Sequence, residues 1–376
     1  MVTFAYLVPV IAVILLKTVL HFNGEWTALL WVLLAGEITV ASLHLGALFC
    51  QLLQTEYLGS LVKSVHFEEA WTELIEITEY KKDSNGNSIS VKTIKEKYHP
   101  RKHYFYTTRN TKIKTDWEFY KYVLEKWQKS PQTLSWSGSH IKNGKRFGEY
   151  CTSDDYIGFN TYDNKRWVSV TEKHKYINPI QNSNSIFRFQ NISKKEAKEI
   201  GLYFYPGITR HAAPCILYDN FKFLITPDIE ILNKFRRFNA AIGSQVQMRL
   251  YILIFDYMKG IEIAEKQKIF WNGGNKNEFI ICLGLTSKNE VRWSYVFSWS
   301  DEQNLEVETS QWFLKNKNLD LYKFYDWFVY KYKTWQRKEF SDFYYLSVPL
   351  KLWQLLTIYI ISVLENIIAV NITLGK

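Results

Sequence analysis

The sequence predicts an α+β protein held in a membrane at both ends. Three observations predict it: long uncharged stretches at the two termini, a charged aromatic middle, and a middle in which helix caps alternate with β-branched and aromatic runs. The chain has 376 residues, 47% hydrophobic and 22% charged, with Gly 17, Pro 8 and Cys 4. Those values exclude wholesale disorder, collagen-like repeats and a disulfide-stapled scaffold. Aromatic residues reach 17%. Four regions are expected: a transmembrane helical hairpin (1–54), a β-rich aromatic soluble region (55–180), an α/β soluble region (181–351) and a C-terminal transmembrane helix (352–376).

Val2 to Leu20 carries one charge, Lys17. Trp26 to Leu53 is apolar apart from Glu37, His44, Gln51 and some hydroxyls. Leu352 to Leu374 carries only Glu365. At about 1.5 Å per residue, each is long enough to cross about 30 Å of hydrocarbon. His21 to Glu25 leaves room only for a tight hairpin, so the first two segments are expected to run antiparallel. Glu37 and His44 lie seven residues apart on one side of the second segment. With Glu365 they form a polar membrane face that must meet protein or water. Of the 47 basic residues, 45 lie within 56–351, which carries a net charge of +11. Lys63, Arg337, Lys338 and Lys351 flank the apolar segments and place the middle region in the cytoplasm and the C-terminus outside. Cys151, Cys215 and Cys282, at unrelated spacings, fit a reducing compartment.

Within the middle region, Thr115-Asp-Trp-Glu118 and Ser193-Lys-Lys-Glu196 read as capping boxes. Thr226-Pro227 reads as the start of a helix that Gly243 stops, and Gly260 precedes another, ended by Gly273-Gly274. Asp320 to Trp335 is an aromatic helix candidate. Strands are expected at Phe67–Tyr80, Lys102–Thr108, Arg249–Phe255, Glu278–Leu285, Val291–Trp299 and Leu305–Thr309, with a turn at Asp83–Asn87. An apolar strand, a helix and a second apolar strand from Arg249 onward suggest a βαβ unit in a helix-covered sheet.

The candidate chemistry is sparse. Asp256, Glu262, Asn275 and Glu278 are oxygen donors that could hold a divalent cation; no other cofactor is expected. The loop WNGGNKNEF could offer amides to a phosphate, although it matches neither phosphate-loop pattern. His99, Arg101, Lys102, His103 and Tyr104 form a basic-aromatic surface suited to anionic lipid headgroups and, as a weaker alternative, to nucleic-acid bases. Neither a nucleophile elbow nor a catalytic Cys–His motif is present, and the residues assign no reaction.

The stretches 180–206, 264–285, 296–301 (VFSWSD) and 337–350 (RKEFSDFYYLSVPL) resemble uncharacterised membrane proteins encoded by large tailed bacteriophages. This resemblance implies a host inner-membrane location and no assigned activity. Arg249 to Asp301 also weakly resembles a TPM domain, an α/β module often tethered to membranes, some of whose members are described as phosphatases or repair factors. The reading that follows is a membrane-surface scaffold or interaction module. Its expected partners are the lipid bilayer, anionic headgroups, an unidentified protein and a second copy of the chain. A tethered, metal-assisted phosphatase is the alternative.

Overall fold

The structure is a computed structural model. It describes residues 5–19, 26–68, 70–82, 88–127, 147–152, 166–183, 191–218, 227–242, 245–301 and 303–373. In chain order the first elements are α1 (Leu7–Ile14), α2 (Trp26–Leu52), β1 (Leu53–Glu68), β2 (Trp71–Lys82), β3 (Ser88–His99), β4 (Lys102–Thr107) and β5 (Lys112–Thr115). Next come α3 (Trp117–Trp127), β6 (Phe147–Thr152), β7 (Ser169–Ile177), α4 (Lys194–Ile200), β8 (Ile216–Tyr218), α5 (Ile229–Ile242) and β9 (Arg249–Asp256). The last are α6 (Glu262–Phe270), β10 (Glu278–Leu285), β11 (Val291–Ser298), α7 (Asn304–Lys315), α8 (Leu321–Lys331) and α9 (Leu352–Thr373). The α+β class is as expected.

The chain forms two compact units, residues 1–56, 175–192 and 339–376, and residues 57–174 and 193–338. The expected division at residue 180 falls inside the first unit, and the β-rich and α/β segments share the second.

The first unit contains α1, α2 and α9. Two stretches, Leu30–Leu52 and Leu352–Ile372, are long and apolar enough to cross a membrane, and a shorter apolar helical stretch covers Leu7–Thr18. A π-helical turn, Leu15–Val19, follows α1. The hairpin expected at residues 21–25 lies outside the described residues. Polar side chains are buried here beside an apolar cluster of Ala5, Val40 and Ile358. On α9, Ser362 and Asn366 are 0% and 4% exposed, whereas Ile360 and Ile367 are 59% and 52% exposed. Gly36 lets α1 approach, since a Cβ there would lie 2.7 Å from Pro9 Cγ.

The second unit holds two sheets and a two-stranded ribbon. The first sheet runs β5-β4-β1-β6, with β7 also paired to β1. Its buried face, Val65, Phe67 and Phe105, packs on Phe119, Val123 and Trp127 of α3. The period-2 alternation of β4 therefore splits its side chains between a core face and an outer face. The ribbon pairs β2 with β3 from Trp71↔His99 to Lys82↔Ser88; the turn expected at 83–87 lies outside the described residues.

The second sheet runs β11-β10-β9-β8. β8, β9 and β10 are parallel, and β11 is antiparallel to β10. The βαβ unit expected from Arg249 onward is β9–α6–β10. Every residue of β10 is buried, because a parallel strand covered on both faces needs apolar residues at every position. On one face Phe235 and Phe238 of α5, Phe313 of α7 and Phe324 and Phe328 of α8 join the core. On the other, Trp271 at the end of α6 packs 5.6 Å from Tyr251.

Several expectations need correction. Leu305–Thr309 is not a strand but part of α7; Leu305, Thr309 and Phe313 are its buried positions, a spacing of four that alternation at short range imitates. α3 is capped by Asp116, whose Oδ1 accepts from Phe119 N at 2.8 Å, not by Thr115. Asp228 caps α5 through Ile231 N at 2.8 Å, one residue past Pro227. In both cases an aspartate next to the expected start has the shorter side chain reach to an N3 amide. By contrast, Ser193 caps α4 and Gly201 ends it at φ 74°, as expected.

Candidate functional site

Parallel strands give a sheet two unlike ends, and the second sheet keeps polar groups at both. At the amino ends of β9 and β10, Arg249 stands opposite Glu278. Both are buried. The Glu278 carboxylate accepts from Asn275 N (2.8 Å), Asn275 Nδ2 (2.8 Å) and the Tyr205 hydroxyl (2.9 Å). Burial pushes its pKa up, against those hydrogen bonds and the Arg249 charge. Arg249 Nε donates to the Tyr251 hydroxyl at 2.7 Å, and its guanidinium lies 5.0 and 5.7 Å from the Tyr251 and Tyr57 rings. Each charge is held by fixed dipoles and rings, the arrangement of a structural clamp.

The four proposed cation ligands do not converge. Only Asn275 and Glu278 meet. Asp256 pairs in register with Leu285, seven residues along β10 from Glu278, so about 23 Å of strand separates the two. Asp256 instead accepts from Met258 N at 3.0 Å. Glu262 begins α6, beside Gly260. No group of three or more His, Cys, Asp or Glu suited to a metal ion occurs among the described residues. The loop after α6 is a turn with its amides engaged. Gly273 N donates to Lys268 O, Gly274 N to Trp271 O and Asn275 N to Glu278, so the chain's own carboxylate occupies the position considered for a phosphate. The left-handed backbone of Asn272, Gly273 and Gly274 builds that turn.

The basic-aromatic set divides as well. Tyr104 lies on the outer face of the first sheet, stacked 5.2 Å from His66, with Lys112 Nζ 3.8 Å from its ring centre. His103 faces the other way, against Trp117 and Tyr120. Arg101 covers Phe67, with its guanidinium 4.3 Å from the ring centre. His99 ends β3, paired with Trp71 of the ribbon. Burial, then the Lys112 charge, lowers the His66 pKa to about 4, so its ring is neutral at pH 7 and adds no charge to this face.

Of the residues expected on a polar membrane face, His44 and Glu365 have hydrogen-bond partners in the protein. The Tyr6 hydroxyl and His44 Nδ1 share a 3.2 Å hydrogen bond. Thr39 Oγ1 donates to Glu365 Oε1 at 2.8 Å, and Gln51 Nε2 donates to Gln354 Oε1. Glu37, one turn of α2 before Val40, is half-buried.

The carboxyl ends of β8, β9 and β10 open on a crevice of about 310 Å³ that the sequence did not reveal. Ligands of open α/β sheets bind outside this end. Tyr218, Ile254 and Leu285 contribute from the strands. The starts of α5 and α8 contribute Asp228 and Asp320. The Tyr322 hydroxyl bridges both Asp228 oxygens at 2.9 and 2.8 Å. Hydrogen bonds from Ile231 N, then Tyr322, hold Asp228 below the usual carboxylate range, and the same bond raises Tyr322 to about 12. Asp320 Oδ1 accepts from Tyr322 N (3.1 Å) and Lys323 N (3.0 Å). The partners are 94 residues apart; the only sequence signal was an aspartate before each helix.

Compared with known proteins, the chain matches no family model, no curated protein and no solved structure.

Proposed function

We propose that this chain is an integral membrane protein whose second unit acts as an interaction module on the cytoplasmic membrane surface. One observation carries the reading: in the apolar helices the outward side chains are Leu, Ile, Val, Phe and Trp while Gln354, Ser362 and Asn366 are turned inward. Water would favour the reverse, and hydrocarbon favours this arrangement. Lys17 lies over the Trp26 ring at 4.7 Å, a pairing suited to the bilayer interface. The positive middle region supports attraction to anionic headgroups, about 1 kcal/mol for each basic residue close to the surface. The resemblance to phage-encoded membrane proteins supplies the expectation that the membrane is a bacterial host's inner membrane.

Two measurements test the proposal. The full chain should pellet with membranes and stay there through alkaline carbonate washing; release by carbonate would overturn integration. A cysteine at the exposed Lys288 should react with an impermeant maleimide only after the cells are opened. Labelling of intact cells would place the module outside.

A further inference from the structure

We propose that the crevice at the carboxyl ends of β8–β10 binds a small apolar molecule that presents N–H donors, an amino-substituted ring or an amine, and rejects anions. Its volume of about 310 Å³ is at the lower end for small-ligand sites, about 300–1,000 Å³. Ile231, Ile254 and Leu285 make an apolar floor, each no more than 3% exposed. Helix starts usually attract anions through free amides. Here that attraction is cancelled, because Asp228 and Asp320 occupy the amides of both α5 and α8.

The remaining hydrogen-bonding capacity is mostly acceptor. A carboxylate offers about four lone-pair directions; Asp228 receives the Ile231 and Glu230 amides and a hydroxyl shared between its two oxygens, which leaves acceptor capacity toward the crevice. Asn289 is the second, independent observation. It lines the crevice and is 7% exposed. Its backbone is engaged, with N donating to Thr286 O and O accepting from Leu319 N. Its side-chain amide has no hydrogen-bond partner among the described residues. That amide lines the crevice and is open to pairing with a ligand there. Asn289 also sits at φ 60°, so its backbone favours Asn or Gly over most residues.

The test uses the full chain in nanodiscs, with empty nanodiscs as the blank, and ligand-observed NMR. The probes are 2-aminopyridine, phenethylamine, benzoate and phenyl phosphate. At least one of the two nitrogen probes should bind, and more tightly than either anion; which one binds tells a ring amine from an alkyl amine. Asp228→Asn keeps a capping side chain and should weaken that binding about tenfold or more by removing a charged acceptor. Asn289→Gly keeps the backbone and should weaken it several-fold. Binding of neither nitrogen probe, equal or tighter binding of an anion, or indifference to both substitutions would overturn the proposal. None of these outcomes depends on which side of a membrane the module faces.

Discussion

Glu306 lies at the start of α7 with one carboxylate oxygen buried and unpaired. Burial raises its pKa to about 7, with Lys268 pulling the other way. A carboxyl whose folded pKa exceeds its unfolded value favours folding only while protonated, so its unfavourable contribution grows as pH rises from about 4.5 to 7. Glu306→Gln should therefore match the parent near pH 4 and exceed it by about 1–3 kcal/mol at pH 8; denaturant midpoints at the two pH values check this. Asn239 is the opposite case. Buried in α5, its amide donates to Leu250 O at 3.0 Å and accepts from Leu250 N at 2.7 Å. Asn239→Ala strands both backbone groups and should cost about 2–4 kcal/mol, read as a lower midpoint with an unchanged m-value. Neither role was legible in the sequence. Glu306 read as part of a strand and Asn239 as part of an amphipathic helix, and what decides them is a neighbour brought in by the fold.

Elements were more legible than sites, for a physical reason. Caps and periodicity are local, so the helices after Ser193 and before Gly273, and the apolar strands at 249–256 and 278–285, follow from the residues alone. Pairing is not local. Acids spaced along 256–278 looked like one cluster, yet a βαβ crossover carries the chain back along the sheet before Glu278 begins the next strand, which puts Asp256 and Glu278 at opposite ends. Tyr322 and Asp228 meet only because α5 and α8 start at the same edge. Among the apolar helices, Gly36 is the position that matters. Gly36→Leu should push α1 from α2 and lower the thermal midpoint in detergent by several degrees, through overpacking of about 1–3 kcal/mol. Gly46→Leu, with open space around its Cβ position, should leave it nearly unchanged. Equal effects would remove the close-packing account.

At the scale of the molecule, hydropathy and charge distribution were the most readable signals, because they are summed over many residues. They placed three apolar segments at the ends, two of which are helices long enough to cross a membrane, and an α+β body between them. Among the described residues the first apolar segment is helical over Leu7–Ile14 and then π-helical, shorter than the other two. If the positive body meets anionic lipid, association of the intact protein with other membranes should fall with salt. Vesicles containing 30% phosphatidylserine should cross-bridge proteoliposomes at low ionic strength and release them near 0.5 M NaCl, where screening shortens to a few ångströms. Bridging insensitive to salt would assign it to apolar contact instead.

The Asn239–Leu250 contact reaches beyond stability. β8 has only three residues and meets β9 from Ile252 onward, which leaves the start of β9 without a strand on that side. A side chain fills that gap and satisfies the bare backbone rung. An open rung is a template for strand pairing with another chain. Closing it with one amide leaves no backbone group free there for another strand to pair with.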